Sequence, residues 1–363
     1  MNWLLILLGF SLLIILHEGG HYLAAKATGM RVERFFLFFG PTLWSFRRGE
    51  TEYGVKAIPL GGYVKISGMN PEEELPPEVE HRAYYRQAVW KRIAVVAAGP
   101  AVNIVLAFAI LATVFYFNAQ ELDQQVGEIR SGSPAAEVLR PGDRILAVDG
   151  RSFSGLGTAE RLKSFGNQVS THRCAGAQVE GCVASTPVVL RISRDGQVRT
   201  LTVRPEYDAA AERALIGFSY GVRPAEISAG AAADRALEVM GTVVSKTASV
   251  FSRIFEEEQR KQISGIVGVS DAANQTLDRS GVDALLLLAL VSLSLGVINL
   301  LPILPLDGGH IFWAVVEKLR GRPASLRVME RATVIGFALV MVLMVIGLTN
   351  DIGRLGSDVY DVR

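Results

Sequence analysis

The stretch Trp3-Leu-Leu-Ile-Leu-Leu-Gly-Phe-Ser-Leu-Leu-Ile-Ile-Leu-His17-Glu18-Gly-Gly-His21 joins an almost uninterrupted apolar run to an H-E-x-x-H motif. On a helix, this spacing places two imidazoles on one face with a carboxylate beside the first. Such a face binds zinc and supplies a general base. Ionisable groups at membrane depth are costly and usually functional. The stretch therefore predicts a zinc peptidase site inside a bilayer, with His17 and His21 as ligands and Glu18 as the catalytic base.

The apolar run also has the length of a signal-peptide core, which is the main alternative interpretation. The preceding residues, Met1-Asn2, carry no basic side chain. Cleavage near Ala24-Ala25 would remove the helix that carries the motif. The sequence therefore favours a membrane span that is retained.

Apolar residues are concentrated in four stretches, 2–24, 93–117, 284–306 and 331–348, each near the length needed to span hydrocarbon. The chain of 363 residues is half hydrophobic and has a formal net charge of +1. The pattern predicts a polytopic α-helical membrane protein with about four transmembrane helices in a lipid bilayer. Basic residues form no stripe of the kind that binds nucleic acid, so nucleic acid is excluded as a partner.

Charge placement predicts an orientation, because basic residues favour the cytoplasmic side of a membrane. They follow the first span, precede the second and fill the loop between the third and fourth, at Lys26, Arg31, Arg34, Arg47, Arg48, Lys91, Arg92, Lys318, Arg320, Arg322, Arg327 and Arg331. We therefore expect a multi-pass protein of the bacterial cell (inner) membrane. Its polar region at about 122–230 would be extracytoplasmic and its active site would lie near the cytoplasmic side.

A catalytic zinc usually takes three protein ligands and keeps one position for water, so a third ligand is needed. The third apolar stretch ends in Asn299-Leu-Leu-Pro-Ile-Leu-Pro-Leu-Asp307-Gly-Gly-His310, and Asp307 is the only acid near its inner end. Two prolines break the helix there, and irregular backbone at membrane depth is tolerated where it lines a cavity. Since this end and the histidine motif are predicted on the same side, Asp307 is the candidate third ligand.

The pair H-E-G-G-H and N-x-x-P-x-x-P-L-D-G-G resembles the site-2 protease family of intramembrane zinc metalloproteases. The resemblance is closest to bacterial regulators of sigma-factor signalling with a PDZ domain, and to actinobacterial members across 39–103. It implies Zn²⁺ on His17, His21 and Asp307, with Glu18 acting on water. It also implies that Asn299 handles substrate.

The same resemblance implies the substrates. They would be single-span membrane proteins, cut within or next to the transmembrane segment after a first protease has removed the outer part, with an anti-sigma factor as one example. A catalytically inactive membrane scaffold that presents a PDZ domain is the alternative function. Such a scaffold has no need of Glu18, and the motif is intact.

A β-hairpin is predicted at about 44–68. Strand formers at 53–57 and 63–66 are separated by Pro59-Leu-Gly-Gly62. The segment resembles the family's membrane-associated hairpin, and its free edge could pair with an extended substrate. Gly61, Gly62 and Tyr63 are therefore candidate substrate-binding residues. A plain cytoplasmic hairpin is the alternative.

Motifs at Val126-Gly-Glu-Ile, Ser131-Gly-Ser-Pro-Ala and Arg140-Pro-Gly-Asp-Arg-Ile-Leu-Ala-Val-Asp-Gly150 resemble a PDZ domain, here predicted once, over 122–208. Residues 144–148 are a predicted strand, and 188–193 with 198–203 a predicted hairpin. Whether the groove binds peptide or only filters substrates by size stays open.

The chain's two cysteines, Cys174 and Cys182, lie in an apparent insertion at about 165–187 of this domain. Their short spacing favours a disulfide in an oxidising compartment, with two free thiols as the alternative.

A helical region at 225–264 follows the predicted PDZ domain. Its apolar face suits either a helix lying on the outer membrane surface or an ordinary packed helix. Domain limits are thus expected at 1–117 for the first two spans with the hairpin and at 284–348 for the last two.

Overall fold

A computed structural model describes residues 2–70, 73–152, 158–252, 256 and 266–360. Its helices are α1 (Asn2–Ala27), α2 (Pro77–Glu80), α3 (Val89–Phe117), α4 (Pro134–Val138), α5 (Thr158–Val169), α6 (Ala229–Ser252), α7 (Ile266–Arg279), α8 (Gly281–Asn299), α9 (Asp307–Arg320) and α10 (Leu326–Tyr360), with a 3₁₀ turn at Tyr84–Arg86. Its strands are β1 (Val32–Arg48), β2 (Thr51–Ile66), β3 (Gln120–Ile129), β4 (Arg144–Val148), β5 (Arg151–Ser152), β6 (Val188–Arg194), β7 (Gln197–Val203), β8 (Glu206–Asp208), β9 (Arg213–Leu215) and β10 (Phe218–Pro224). The chain forms two compact units, 1–117 with 228–363, and 118–227.

Four described helices of the first unit are long and apolar enough to cross a membrane, at Leu4–Ala27, Val89–Phe117, Gly281–Asn299 and Leu326–Gly353. This agrees with the four apolar stretches in the sequence. The first helix continues through H-E-x-x-H to Ala27 without a break. The third ends at Asn299, and residues 300–306 form a non-helical loop before α9. The two prolines explain this loop, since each removes a backbone donor that a continuing helix needs.

Helix α3 packs against α1, α6, α8 and α9 in the first unit. Small and medium side chains make the α3–α6–α8 contact, with Ala107, Leu111, Ala236, Ala289 and Leu293 all buried. Helix α6 therefore has the packed face that was one of the two alternatives for the region 225–264. Residues 253–255 and 257–264 of that predicted region lie outside the described residues.

The strands β1 and β2 form a sheet around the turn at Gly49-Glu50. Residues 42–48 pair with 51–56. Residues 34–39 pair with 52–58, and residues 32–37 also pair with 62–66. The order across the sheet is therefore 42–48, 51–58, 32–39 and 62–66. The predicted pairing of 53–57 with 63–66 is wrong, because residues 32–39 lie between these segments. The aromatic run Phe35-Phe36-Leu-Phe-Phe39 has no alternation of apolar and polar residues, so the sequence pattern did not predict this inner strand.

The second unit contains a sheet with the order β10-β3-β4-β6-β7, to which β5 is added on β4. The predicted strand 144–148 and the hairpin at 188–203 are present. The positive φ angles of Asp195 (54°) and Gly196 (78°) close that hairpin in the left-handed conformation favoured at such turns. Inward side chains of β3, β4, β6 and β7 share one core with α5, including Phe165, Val188 and Leu190.

This unit extends beyond the expected limit at 208. Strand β10 pairs with β3 at the start of the unit, with Tyr220 opposite Val126 and Phe218 opposite Ile129. The insertion also begins later than expected, since residues 158–169 form α5 and contribute Val169 to the core. Cys174 and Cys182 are disulfide-bonded, as the spacing favoured.

An ion pair between Asp143 and Arg194 fastens the start of β4 to the end of β6. The Asp143 side chain is 1% exposed. Its oxygens accept from Arg194 Nε and Nη2, both at 2.7 Å, and from the Arg140 backbone N–H at 2.8 Å. Burial alone would raise the pKa of Asp143, but these hydrogen bonds outweigh it and hold the pKa below its ordinary value.

We expect Asp143→Ala to destabilise the second unit by about 3 kcal/mol, because it leaves the largely buried Arg194 without its partner. A depressed carboxyl pKa stabilises the fold above the unfolded-state pKa of about 4, and this stabilisation is lost as the pH falls below it. Limited proteolysis of the purified protein between pH 3 and pH 7 measures both effects. Equal protease resistance of the wild type and Asp143→Ala at neutral pH would contradict the prediction.

Candidate metal centre

The two motif histidines lie on one face of α1 where this helix meets α3. The two helices approach closely because each presents a glycine to the other, Gly20 on α1 and Gly99 on α3. A Cβ at Gly20 would lie 2.5 Å from the Ala98 carbonyl oxygen, and a Cβ at Gly99 would lie 2.3 Å from His21 Nε2. Any larger residue at these positions would separate the helices or displace the imidazole.

Asp307 is the first residue of α9, directly after the loop 300–306. This loop folds closely over the start of the helix, since a Cβ at Gly308 would lie 2.2 Å from the Leu300 carbonyl oxygen. Farther along, α9 is fixed to α3 by a bidentate ion pair between the largely buried Arg92 and Glu317. These contacts hold Asp307 against α1.

His17, His21 and Asp307 form a nearly equilateral triangle of ligand atoms. His17 Nε2 lies 3.3 Å from His21 Nε2 and 3.3 Å from Asp307 Oδ2, and His21 Nε2 lies 3.4 Å from the same oxygen. A tetrahedral zinc with bonds of about 2.0–2.1 Å separates its ligands by about 3.3–3.4 Å. The described part of the chain has one such group of three or more potential ligands. Its dimensions therefore fit zinc.

The hydrogen bond of His21 indicates which of its ring nitrogens is free to bind a metal. Its Nδ1 lies 2.9 Å from the Val95 carbonyl oxygen, to which it donates. In a neutral imidazole the proton is then on Nδ1, and Nε2 carries a lone pair. His21 Nε2 therefore directs its lone pair toward His17 Nε2 and the Asp307 carboxylate. A cation at this point satisfies all three groups.

Glu18 lines a cavity of about 360 Å³ together with the three candidate ligands. Its carboxylate interacts with the backbone amide of Val64 on the edge segment 62–66. A Cβ at Gly62 would lie 3.1 Å from Glu18 Cγ, so the edge segment runs directly beside the acid. A carboxylate, a metal-sized triangle of candidate ligands and a sheet edge therefore border one space.

The other candidate residues from the sequence also line this cavity. Asn299 lines it from the end of α8, and the edge of the sheet contributes Gly61, Gly62 and Tyr63. The Tyr63 ring stacks on Phe36 at a centroid distance of 5.7 Å, which fixes this wall of the cavity.

Sequence reasoning missed His310, which lines the same cavity. It follows Asp307 by three residues on α9, and that spacing places both on one helix face. The spacing was therefore a usable signal. Burial lowers the pKa of His310, which favours its neutral form with one N–H donor.

Comparisons with known sequences identify the family of this chain. The sequence profile of Peptidase family M50 matches residues 5–343. Zinc metalloprotease Rip1 of Mycobacterium tuberculosis strain H37Rv is 36% identical over 345 residues, covering 86% of this chain and 85% of Rip1. Rip1 of Mycobacterium bovis BCG matches with the same identity and coverage.

Among solved structures, the PDZ domain of the SdrC-like protein Lmo2051 from Listeria monocytogenes matches 26% of this chain and 84% of its own chain. The identity is 18% and the TM-score is 0.20. The family assignment rests on the sequence matches, which span nearly the whole chain. The chain therefore belongs to peptidase family M50, the site-2 proteases, and is a multi-pass membrane zinc metalloendopeptidase.

Proposed function

We propose that this enzyme hydrolyses peptide bonds within or next to the transmembrane segments of single-span membrane proteins. The observation that carries the proposal is the position of the His17–His21–Asp307 triangle. It lies on helices of the membrane-spanning unit, beside Glu18 and an open sheet edge. Such a site is reached by a chain that is already in the bilayer.

We assign the metal ligands to His17, His21 and Asp307. Zinc, when bound there, supplies a Lewis acid that polarises the scissile carbonyl and brings the pKa of water to about 7. Glu18 accepts the proton of the attacking water and later passes it to the leaving amine. Neutral His310 can donate its N–H to the carbonyl oxygen as negative charge develops on it.

The sheet edge supplies what a transmembrane substrate lacks. In a membrane helix every peptide group is paired within the segment, so hydrolysis requires several residues to open. The segment 62–66 pairs on one side with 32–37. Its other side borders the cavity and can bind an opened substrate as an added strand. Asn299 and Tyr63 would then contact the substrate next to the scissile bond.

We expect substrates with glycine near the scissile bond to be cut faster. Leu→Gly in a substrate helix lowers the cost of opening by up to about 1 kcal/mol, or roughly fivefold in rate. Leu→Ala at the same position is the matched control, because alanine is also small but keeps the helix. Equal rates for the glycine and alanine substrates would show that helix opening does not limit cleavage.

We further propose that the second unit is an extracytoplasmic PDZ domain that restricts access to the membrane site. The motifs at 126–150 and the order of strands and helices support the assignment. Substrates whose outer part has been removed by an earlier protease would then be preferred, as in regulated proteolysis of an anti-sigma factor.

Topology can be tested with the two cysteines, which are the only ones in the chain. After mild reduction of intact cells, a membrane-impermeant thiol reagent should label Cys174 and Cys182, because the positions of the basic loops favour an extracytoplasmic domain. Cys174→Ser/Cys182→Ser is the control for background labelling. Labelling that requires lysed cells would invert the proposed orientation.

The function itself is tested by co-expression with a panel of tagged single-span proteins, each supplied full-length and with its outer domain removed. We expect the shortened forms to be cut by the wild-type enzyme and not by Glu18→Gln. Absence of Glu18-dependent cleavage across the panel, with zinc present in the purified enzyme, would oppose the proposal.

A further inference from the structure

Asn103 is fully buried on α3, in direct contact with His17. Its side-chain Nδ2 lies 3.4 Å from His17 Nδ1. Its backbone carbonyl accepts from the buried Ser292 Oγ at 2.9 Å, which fixes α3 to α8 at this level. The side-chain oxygen Oδ1 has no hydrogen-bond partner within the described residues. A buried polar atom without a partner is unusual and calls for a physical explanation.

The chemistry of a zinc-bound histidine supplies this explanation. His17 Nε2 faces His21 and Asp307, so it is the nitrogen that faces the metal position. A neutral imidazole that binds a metal through Nε2 carries its proton on Nδ1 and donates from there. The group opposite Nδ1 must therefore be an acceptor, whereas the NH₂ group of Asn103 is only a donor.

A half-turn of the carboxamide exchanges its oxygen and nitrogen with little change of shape. In that rotamer Oδ1 lies opposite His17 Nδ1 and gains the donor that it lacks. We infer that Asn103 is a positioning residue of the zinc site, whose side-chain carbonyl accepts the Nδ1–H of His17 and holds its Nε2 toward the metal. The inference rests on the proposed role of His17 as a ligand.

The two histidines are then oriented in the same way by one helix. His21 donates from Nδ1 to the Val95 backbone carbonyl, and His17 in the inferred arrangement donates from Nδ1 to Oδ1 of Asn103. The acceptor at Val95 is a main-chain carbonyl, which a side-chain substitution does not remove. Asn103 acts through its side chain, so its contribution can be measured directly. Loss of such a partner typically weakens metal binding 10–100-fold.

Two substitutions of similar size separate the possible roles of Asn103. Asn103→Asp presents oxygen in both orientations and cannot offer the NH₂ donor. Asn103→Leu fills the space without a polar atom. We expect Asn103→Asp to bind zinc as tightly as the wild type, and Asn103→Leu to bind it roughly 10–100-fold more weakly. The measurement is zinc competition with a chelator on the detergent-purified full-length chain.

Each contrary result has a definite meaning. Wild-type zinc affinity in Asn103→Leu would overturn the inference and leave Asn103 a packing residue. An equal loss in both variants would also overturn it, because the NH₂ donor would then be what matters. Retained zinc in His17→Ala would refute the ligand assignment itself, which keeps that failure distinct from a failure of Asn103.

The wild-type enzyme offers a second readout if the variants do not fold. ¹⁵N chemical shifts of histidine-labelled, zinc-loaded protein report which nitrogen of His17 carries the proton. Protonated, hydrogen-bonded Nδ1 is expected. A proton on Nε2 would overturn the inference whatever the variants show.

Discussion

Glu18→Gln is expected to keep its zinc and to lose peptide cleavage by about 10²–10⁴-fold. Glutamine matches glutamate in size but cannot accept the proton of the attacking water. The zinc should remain, because the ligand triangle consists of His17, His21 and Asp307 and does not include Glu18. Metal analysis and cleavage rates on the same preparation measure both effects.

His17→Ala is the companion variant and should lose zinc and cleavage together, since a site with two remaining ligands holds zinc poorly. Comparison of the two variants distinguishes loss of activity through a missing base from loss of activity through a missing metal. Cleavage by Glu18→Gln at the wild-type rate would assign the base to another residue. Loss of zinc from Glu18→Gln would instead make Glu18 part of the metal shell.

Gly99→Ala and Gly20→Ala each add a single methyl group, and each variant is expected to lose zinc. A Cβ at Gly99 would lie 2.3 Å from His21 Nε2, and one at Gly20 would lie 2.5 Å from the Ala98 carbonyl oxygen. Relief of either overlap must move a ligand or separate α1 from α3. Overpacking of this kind costs about 1–3 kcal/mol, and at Gly99 the displaced atom is His21 Nε2, a proposed ligand. Zinc content after purification is the measurement.

Gly19 offers a matched control within the same motif. A Cβ there meets no atom within 4 Å, and the position lies inside α1. Gly19→Ala should therefore keep zinc, with a gain of up to about 1 kcal/mol in helix stability. Equal zinc content in Gly19→Ala, Gly20→Ala and Gly99→Ala would contradict the claim that close helix contact holds the ligands in place.

Local patterns in the sequence predicted much of this architecture. The four spans follow from apolar length, and the strand 144–148 and the hairpin 188–203 follow from alternation with turn residues. Asp307 could be proposed as the third ligand because it is the only acid near the inner end of the third apolar stretch. The spacing of His310 from Asp307 carried the same kind of local signal and was overlooked.

Non-local pairing is what the sequence did not reveal. Residues 32–39 pair with two segments of β2, and β10 pairs with β3 across most of the second unit. No short-range pattern encodes which strands distant in sequence become neighbours, because that choice depends on which edges remain open once the whole unit has folded. The contact of Asn103 with His17 has the same character, since it joins α3 to α1.

The distribution of the proposed zinc ligands along the chain has a consequence for biosynthesis. His17 and His21 are made long before Asp307, which follows the second unit and α8 in the chain. At 5–20 residues per second, ribosomes need on the order of 15–60 s to pass from the first ligands to the last. During this interval the nascent chain has Glu18 and the two imidazoles but lacks the third proposed ligand. The newly made enzyme therefore cannot cut neighbouring proteins at the insertion machinery until its own membrane domain has been assembled.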